Sequence, residues 1–433
     1  MVDWRKYPLV RIFLPFLVGV ICGAQLTSCL HGPTGTVPTT IAFVAMSLLL
    51  SFLILCRHRA GRSAAWGRAF RAAAYLSFFL FGLLISTRAH QTALSRYGEG
   101  YVYRIYTTNS MQDERAQAVG ERMHAMFQDA PAGTDADRAI VEAMTIGYRQ
   151  GITKEMRWQF SAAGISHLLA LSGFHLSILY ILLSVPLLWI RRFPFGRYVA
   201  SAFVLTFLWG YALITGMSPS IVRAVIFCSI VELCMLMGRE VRLVNSCALA
   251  ALVILLFEPL MIRHIGFQLS FCSMTGIALL QERIPPGPLL AMLSITVICS
   301  FFTFPLVAYH FGAVPLYGLL SNVFASLLAY PVVFLSAFWC VLSLLGFHLL
   351  WLLRLACFFA SGLSWIARTV SGLPLSTITY SPSAVEVVIL YAVVLTATSL
   401  FYRITARRII LLLLLIELLL LYAIFLITSS NLS

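Results

Sequence analysis

Tyr198-Val-Ala-Ser-Ala-Phe-Val-Leu-Thr-Phe-Leu-Trp-Gly-Tyr-Ala-Leu-Ile-Thr-Gly216 runs the length of a membrane crossing without one charged side chain. A hydrocarbon layer of about 30 Å takes about 20 apolar residues to cross as a helix. Inside it every backbone N–H and C=O must bond within the segment, which leaves a helix as the form a single such run can take. Pro219 opens a second run directly after Ser218.

Similar runs lie near 9–30, 39–56, 72–88, 165–190, 219–238, 243–260, 265–281, 289–309, 315–346, 347–369, 384–402 and 409–428. The run 315–346 is overlong and contains Pro331, so it reads either as one bent crossing or as two short segments. The reading is an all-α polytopic helical bundle with about 11–13 transmembrane helices. Gly19 and Gly23 form a small-xxx-small pair suited to close helix approach in the first run.

The composition of the 433 residues agrees: 60% are hydrophobic, 11% are charged and the mean hydropathy is +0.92. Soluble domains carry about 25% charged residues, so a soluble enzyme, a disordered scaffold and a secreted disulfide framework are excluded. Most of the ten cysteines sit inside apolar runs and do not suggest disulfides. The net charge of +14 has an ordinary source in cytoplasmic loops, where membrane proteins concentrate Lys and Arg.

Those basic residues set the orientation. Arg57, Arg59, Arg62, Arg68 and Arg71 follow the second run; Arg191, Arg192 and Arg197 follow the fourth. Arg239 and Arg242 follow the sixth, and Arg403, Arg407 and Arg408 the twelfth. The positive-inside rule then puts the N-terminus in the cytoplasm and the segment 89–164 outside.

Segment 89–164 is the one hydrophilic stretch and holds more than half of the chain's 16 acidic residues. Tyr101–Tyr106 alternates like a strand. Val119, Met123, Met126 and Phe127 make one helical face, and Ile140, Val141 and Met144 another. Gly151 is placed to end that second helix, and Thr153 to cap a third over 153–164, suited to lie in the membrane interface.

Four stretches set polar groups inside apolar runs. They are Gly164-Ile-Ser-His167-Leu-Leu-Ala-Leu-Ser172-Gly173-Phe174-His175, then Thr215-Gly-Met-Ser218-Pro219-Ser220-Ile-Val-Arg223-Ala224. Gly266-Phe267-Gln268-Leu269-Ser270-Phe271 follows, and last Tyr309-His310-Phe311-Gly312-Ala-Val-Pro315 with Asn322 downstream. In this order they resemble the ComEC family, the membrane channel through which competent bacteria admit single-stranded DNA. The resemblance is strong over 140–340 and rests on hydropathy elsewhere.

The resemblance implies membrane spans over 1–88, an extracytoplasmic loop over 89–164, a competence-type channel domain over 165–402 and a final span over 403–433. Fuller relatives resemble three parts: a nucleic-acid-binding OB-fold, the membrane domain and a metallo-β-lactamase-like domain. Here the outer loop is too short and too helical for a five-stranded barrel. No His-x-His-x-Asp-His cluster exists, so neither a metal centre nor a cofactor is expected. His264 and Tyr148 stand where the family tends to carry acidic residues.

The implied activity is permeation of single-stranded DNA across the bacterial inner membrane, without covalent chemistry. The candidate lining residues are His167, Ser172, His175, Ser218, Ser220, Arg223, Gln268, Ser270, His310 and Asn322. Arg223 falls about 6 Å inside the outer end of its run and carries a guanidinium fork suited to phosphate. His167 and His175, eight residues apart in one run, can line one helix face. Pro219 and Pro331 read as broken-helix markers of the kind that border transport sites. Glu232 and Glu417 read as structural groups or as a proton relay.

Implied partners are the DNA strand, the lipid bilayer, other competence proteins for capture and strand degradation, and further copies of the chain. Rival readings are a transporter of a small solute or lipid, an intramembrane enzyme, and a structural subunit of an uptake complex.

Overall fold

A computed structural model describes residues 8–29, 64–97 and 114–401. The expected runs at 39–56 and 409–428, the alternation Tyr101–Tyr106 and Glu417 lie outside the described residues. Fourteen α-helices and one pair of short strands appear among those described. Seven of the helices have the length and hydropathy of membrane crossings. The protein is an all-α, multi-pass membrane protein.

The chain divides into two compact units, residues 1–110 with 240–271 and residues 111–239 with 272–433. In the first unit, α1 (Pro8–Cys29) packs along α2 (Ala64–Tyr97), and α9 (Leu243–Phe257) lies against α1. The small-residue pair does what its spacing suggests. A Cβ on Gly23 would stand 2.8 Å from the Leu83 carbonyl oxygen, so the two backbones approach closely only because the position is bare. A 3-10 turn, Pro259–Arg263, joins α9 to α10 (Ile265–Leu280), and Arg263 donates to the Ala24 carbonyl. The division between units falls within α10.

The second unit begins with α3 (Glu114–Gln128), α4 (Asp135–Thr145) and α5 (Lys154–Ala162). Thr134 caps α4 reciprocally: its Oγ1 accepts from Asp137 N–H, and the Asp137 carboxylate accepts from Thr134 N–H, each at 3.2 Å. Helix α4 stops at Thr145, short of the expected Gly151. Gly147, at φ +78°, donates its N–H to Glu142 O and turns the chain six residues after the helix's Val141. Thr153 caps α5 as expected, its Oγ1 accepting from Met156 N–H.

The apolar helices α6 (Gly173–Ile190), α7 (Gly196–Ile214) and α8 (Pro219–Leu236) follow, then α11 (Pro288–Phe311), α12 (Gly318–Leu344), α13 (Leu350–Ser371) and α14 (Ala384–Phe401). Helix α12 resolves the alternatives at 315–346. It is one helix with Pro331 inside it, so the missing N–H does not split the run. Pro219 is likewise no break. It occupies the first turn of α8, where its absent N–H would have had no partner anyway.

Gly312 ends α11 in the left-handed region at φ +60°. Directly after it, β1 (Ala313–Pro315) pairs antiparallel with β2 (Thr377–Thr379), with Val314 opposite Ile378. The pair ties the start of α12 to the end of α13. The largest core of this unit joins Met123–Leu169 to α12 and α13, with Phe127, Ile140, Met144, Phe160 and Trp339 almost wholly buried.

Candidate functional site

The first motif is not part of one helix. Gly164 sits at φ +74°, and Ser166–Leu169 form a 3-10 turn. Ala170 and Ser172 are extended, and α6 begins only at Gly173. This corrects the placement of both histidines. His167 lies on the turn and His175 in the first turn of α6, so the two do not share a helix face. The physical cause is Gly164: its left-handed conformation ends the preceding helix, and the chain must recover before it can start another. The rings remain within electrostatic range of each other.

His175 is fully buried. Its Nδ1 accepts from the Ser172 N–H at 3.1 Å and faces Ser172 Oγ at 2.9 Å. A backbone N–H can only donate, so Nδ1 presents a lone pair and the ring proton is on Nε2. That Nε2–H is buried with no partner.

The second motif is a strained turn. Gly216 and Met217 are both left-handed, at φ +73° and +49°, and Met217 N–H donates to Ala212 O at 2.8 Å. An unbranched side chain tolerates this region at a cost of about 1–2 kcal/mol. The turn brings Ser218 to the start of α8 and Arg223 one turn inside it. Arg223 is 3% exposed. Nη2 donates to Ser220 Oγ at 3.0 Å, whereas Nε and Nη1 have no partner. The Ser218 hydroxyl is also buried without one.

The fourth motif meets the first. A Cβ on Gly164 would stand 2.6 Å from the Gly318 Cα and 2.9 Å from Pro315, so the two segments touch backbone to backbone. Ser321 donates to the Ala163 carbonyl, and Asn322 Nδ2 reaches Gly164 O at 3.5 Å. The Asn322 Oδ1 is buried and unpaired. His310 closes the last turn of α11, beside Tyr309. The second motif adjoins the first as well: Gly173 faces Ala224, the neighbour of Arg223, with room at 3.6 Å for a methyl group.

The third motif belongs to the first unit. Gln268 Nε2 donates to Ile262 O at 2.9 Å, tying α10 to the turn before it, and Gly266 N–H donates to His264 Nδ1. Ser270 lies half-buried on α10, and Phe267 stacks near Phe271.

Two further polar clusters have partners that the sequence does not show. Glu232, fully buried on α8, accepts from Tyr180 at 2.8 Å, Arg191 at 2.5 Å and Ser201 at 2.7 Å. These partners tie α6, α7 and α8 together through Glu232. Arg191 carried only an orientation signal in the sequence. Glu142, 2% exposed on α4, pairs with His124 at 2.7 Å and with Gln128 at 3.2 Å. The His124 ring stacks on Tyr148 at 3.9 Å. Burial raises the Glu142 carboxyl above its ordinary value, against the downward pull of His124 and Gln128.

Among the described residues no group of three His, Cys, Asp or Glu side chains is placed to hold a metal ion.

Comparison with known proteins follows the motifs. The family described as Competence protein matches residues 144–407, more than half of the chain. ComE operon protein 3 of Bacillus subtilis (strain 168) is 32% identical over 178 residues, which cover 40% of this chain and 22% of that protein. The chain thus matches under a quarter of that relative's length. No solved structure matches. With its motifs, its helices and the family match in agreement, this chain is a multi-pass membrane member of the competence protein family, of ComEC type.

Proposed function

We propose that the chain is a subunit of the bacterial inner-membrane channel that passes single-stranded DNA inward during natural transformation. The observation that carries this is the Arg223 guanidinium, buried with Nε and Nη1 unpaired. Burying an uncompensated cation is costly, so these N–H groups face water or an anionic ligand. Two other orphaned groups, in the first and second motifs, can donate: Nε2–H of His175 and the Ser218 hydroxyl. A site rich in unspent donors suits an anion, and a guanidinium fork suits phosphate.

The first and second motifs supply these groups; Gln268 and Ser270 of the third and His310 and Asn322 of the fourth remain proposed lining residues. The action is permeation. Phosphates exchange water for fixed donors and back again, and no bond is made or broken. No cofactor takes part. Capture of DNA outside the cell and removal of the complementary strand fall to other competence proteins.

Arg223→Gln tests the reading. Uptake of labelled DNA into the cytoplasm falls by about one to two orders of magnitude, the size of a lost charge-assisted contact. Surface DNA binding and protein abundance stay unchanged. Unaltered uptake refutes the phosphate contact and leaves Arg223 as a side chain that merely reaches for the interface.

A further inference from the structure

Helices α12 and α13 have two unlike faces. On one, Phe324, Phe334 and Phe338 of α12 and Trp351, Phe358 and Trp365 of α13 are exposed. Large aromatic side chains repeated along two apolar helices call for lipid. The opposite face is buried, against the hydrophilic segment α3–α5 together with Leu168, Leu169 and Ile178 of the following turn and α6.

The cover extends along the hairpin. Three contacts mark its register on α12. Ser321 bonds to the Ala163 carbonyl, directly after α5. Ser336 Oγ is 2.6 Å from Thr145 Oγ1, and the Trp339 ring is 4.9 Å from Phe127. From Ser321 to Trp339 the helix rises about 27 Å, close to the roughly 30 Å of a hydrocarbon layer. On α13, Cys357 donates to the Ala132 carbonyl at 3.6 Å.

A helix that crosses the bilayer therefore carries beside it, at matching depths, a segment whose outward side chains include Glu121, Arg122, Asp129 and Asp135, all exposed. Charged groups at that depth cannot face lipid. They face water, or the segment would not stay there.

We infer that α3–α5 is a wall of an aqueous recess at bilayer depth, screened from lipid by α12–α13 and presenting Glu121, Arg122, Asp129 and Asp135 to a hydrated, charged solute. The inference needs only that α12 and α13 cross the membrane. It extends the proposed passage without depending on what travels through it: a null result for Arg223→Gln removes the DNA reading and leaves this recess standing.

The full chain, in vesicles of phosphatidylcholine and phosphatidylglycerol, carries an environment-sensitive fluorescent amino acid in place of Phe334, Phe358, Asp129 or Asp135, one at a time. All four positions are exposed, so the fold tolerates the change. At 334 and 358, lipids with a mid-chain nitroxide quench at least severalfold more than aqueous iodide does. At 129 and 135 the order reverses. Iodide-dominated quenching at 334 and 358 overturns the inference, because the hairpin and its cover then stand in water together. Nitroxide-dominated quenching at 129 and 135 overturns it too, because the segment then meets lipid.

Discussion

Arg191, at the C-terminal end of α6, donates through Nη2 to Oε1 of Glu232 on α8 at 2.5 Å. Glu232 is fully buried and Arg191 only 19% exposed, so the pair holds its geometry away from solvent. Breaking such a pair from one side leaves an uncompensated charge. Replacing both partners removes the desolvation cost as well.

Glu232→Ala is therefore expected to destabilise the protein by about 3–5 kcal/mol, read as a lower thermal midpoint in detergent. The double variant Arg191→Met, Glu232→Leu recovers most of that loss. If the double variant is as unstable as the single one, the pair is not what stabilises this end of the bundle.

Gly164 and Gly173 lie in the same motif but tolerate a methyl group differently. At Gly164 the left-handed backbone alone costs a non-glycine residue about 1–2 kcal/mol, and the Cβ would collide with Gly318. Gly164→Ala should lower both stability and DNA uptake. Gly173 starts a helix and its Cβ would meet Ala224 at an ordinary 3.6 Å. Gly173→Ala should leave stability unchanged or raise it by up to about 1 kcal/mol. Equal effects of the two substitutions would contradict the backbone contact.

Glu142 gives stability a pH dependence of defined sign. Its carboxyl is raised above 4.5 in the folded protein, chiefly by burial. The folded state thus holds the proton more tightly than the unfolded chain. That stability is fully present below 4.5 and is lost as pH rises from there through the folded value. Thermal midpoints measured across this window should decline, and Glu142→Gln should flatten the decline. An unchanged slope in the variant assigns the pH dependence to other groups.

Nuclease activity is not expected of this chain. Among the described residues the histidine nearest to carboxylates, His124, is already committed to Glu142, and no third ligand joins them. A metal-dependent phosphodiesterase needs several converging ligands. Purified protein supplied with zinc, manganese or magnesium should leave end-labelled single- and double-stranded DNA intact. Cleavage that co-purifies with the chain and vanishes on His124→Ala would restore the enzyme reading.

Much of the architecture is local and so was legible in the sequence. Charge-free runs of span length must be helices, because lipid offers the backbone no other partner. Thr153 caps a helix within three residues of itself, as read. The motif order from Gly164 to Asn322 pointed to the family that the comparison identifies. The misplaced end of α4 and the split between His167 and His175 came from single glycines, Gly147 and Gly164. Their left-handed conformation becomes visible only in the folded chain.

Sequence by itself thus determined the class, most of the apolar helices among the described residues and the family, since each rests on interactions that close within a turn or a run. Tertiary structure alone decided which polar groups are satisfied and which are not. Glu232 finds partners on α6, α7 and the loop after α6, whereas Arg223, nine residues earlier on the same helix, is left with two unspent nitrogens. Nothing near either residue in the chain distinguishes them. The difference lies in which neighbours the packing of separate helices brings within hydrogen-bond reach, and those neighbours are set by the whole bundle.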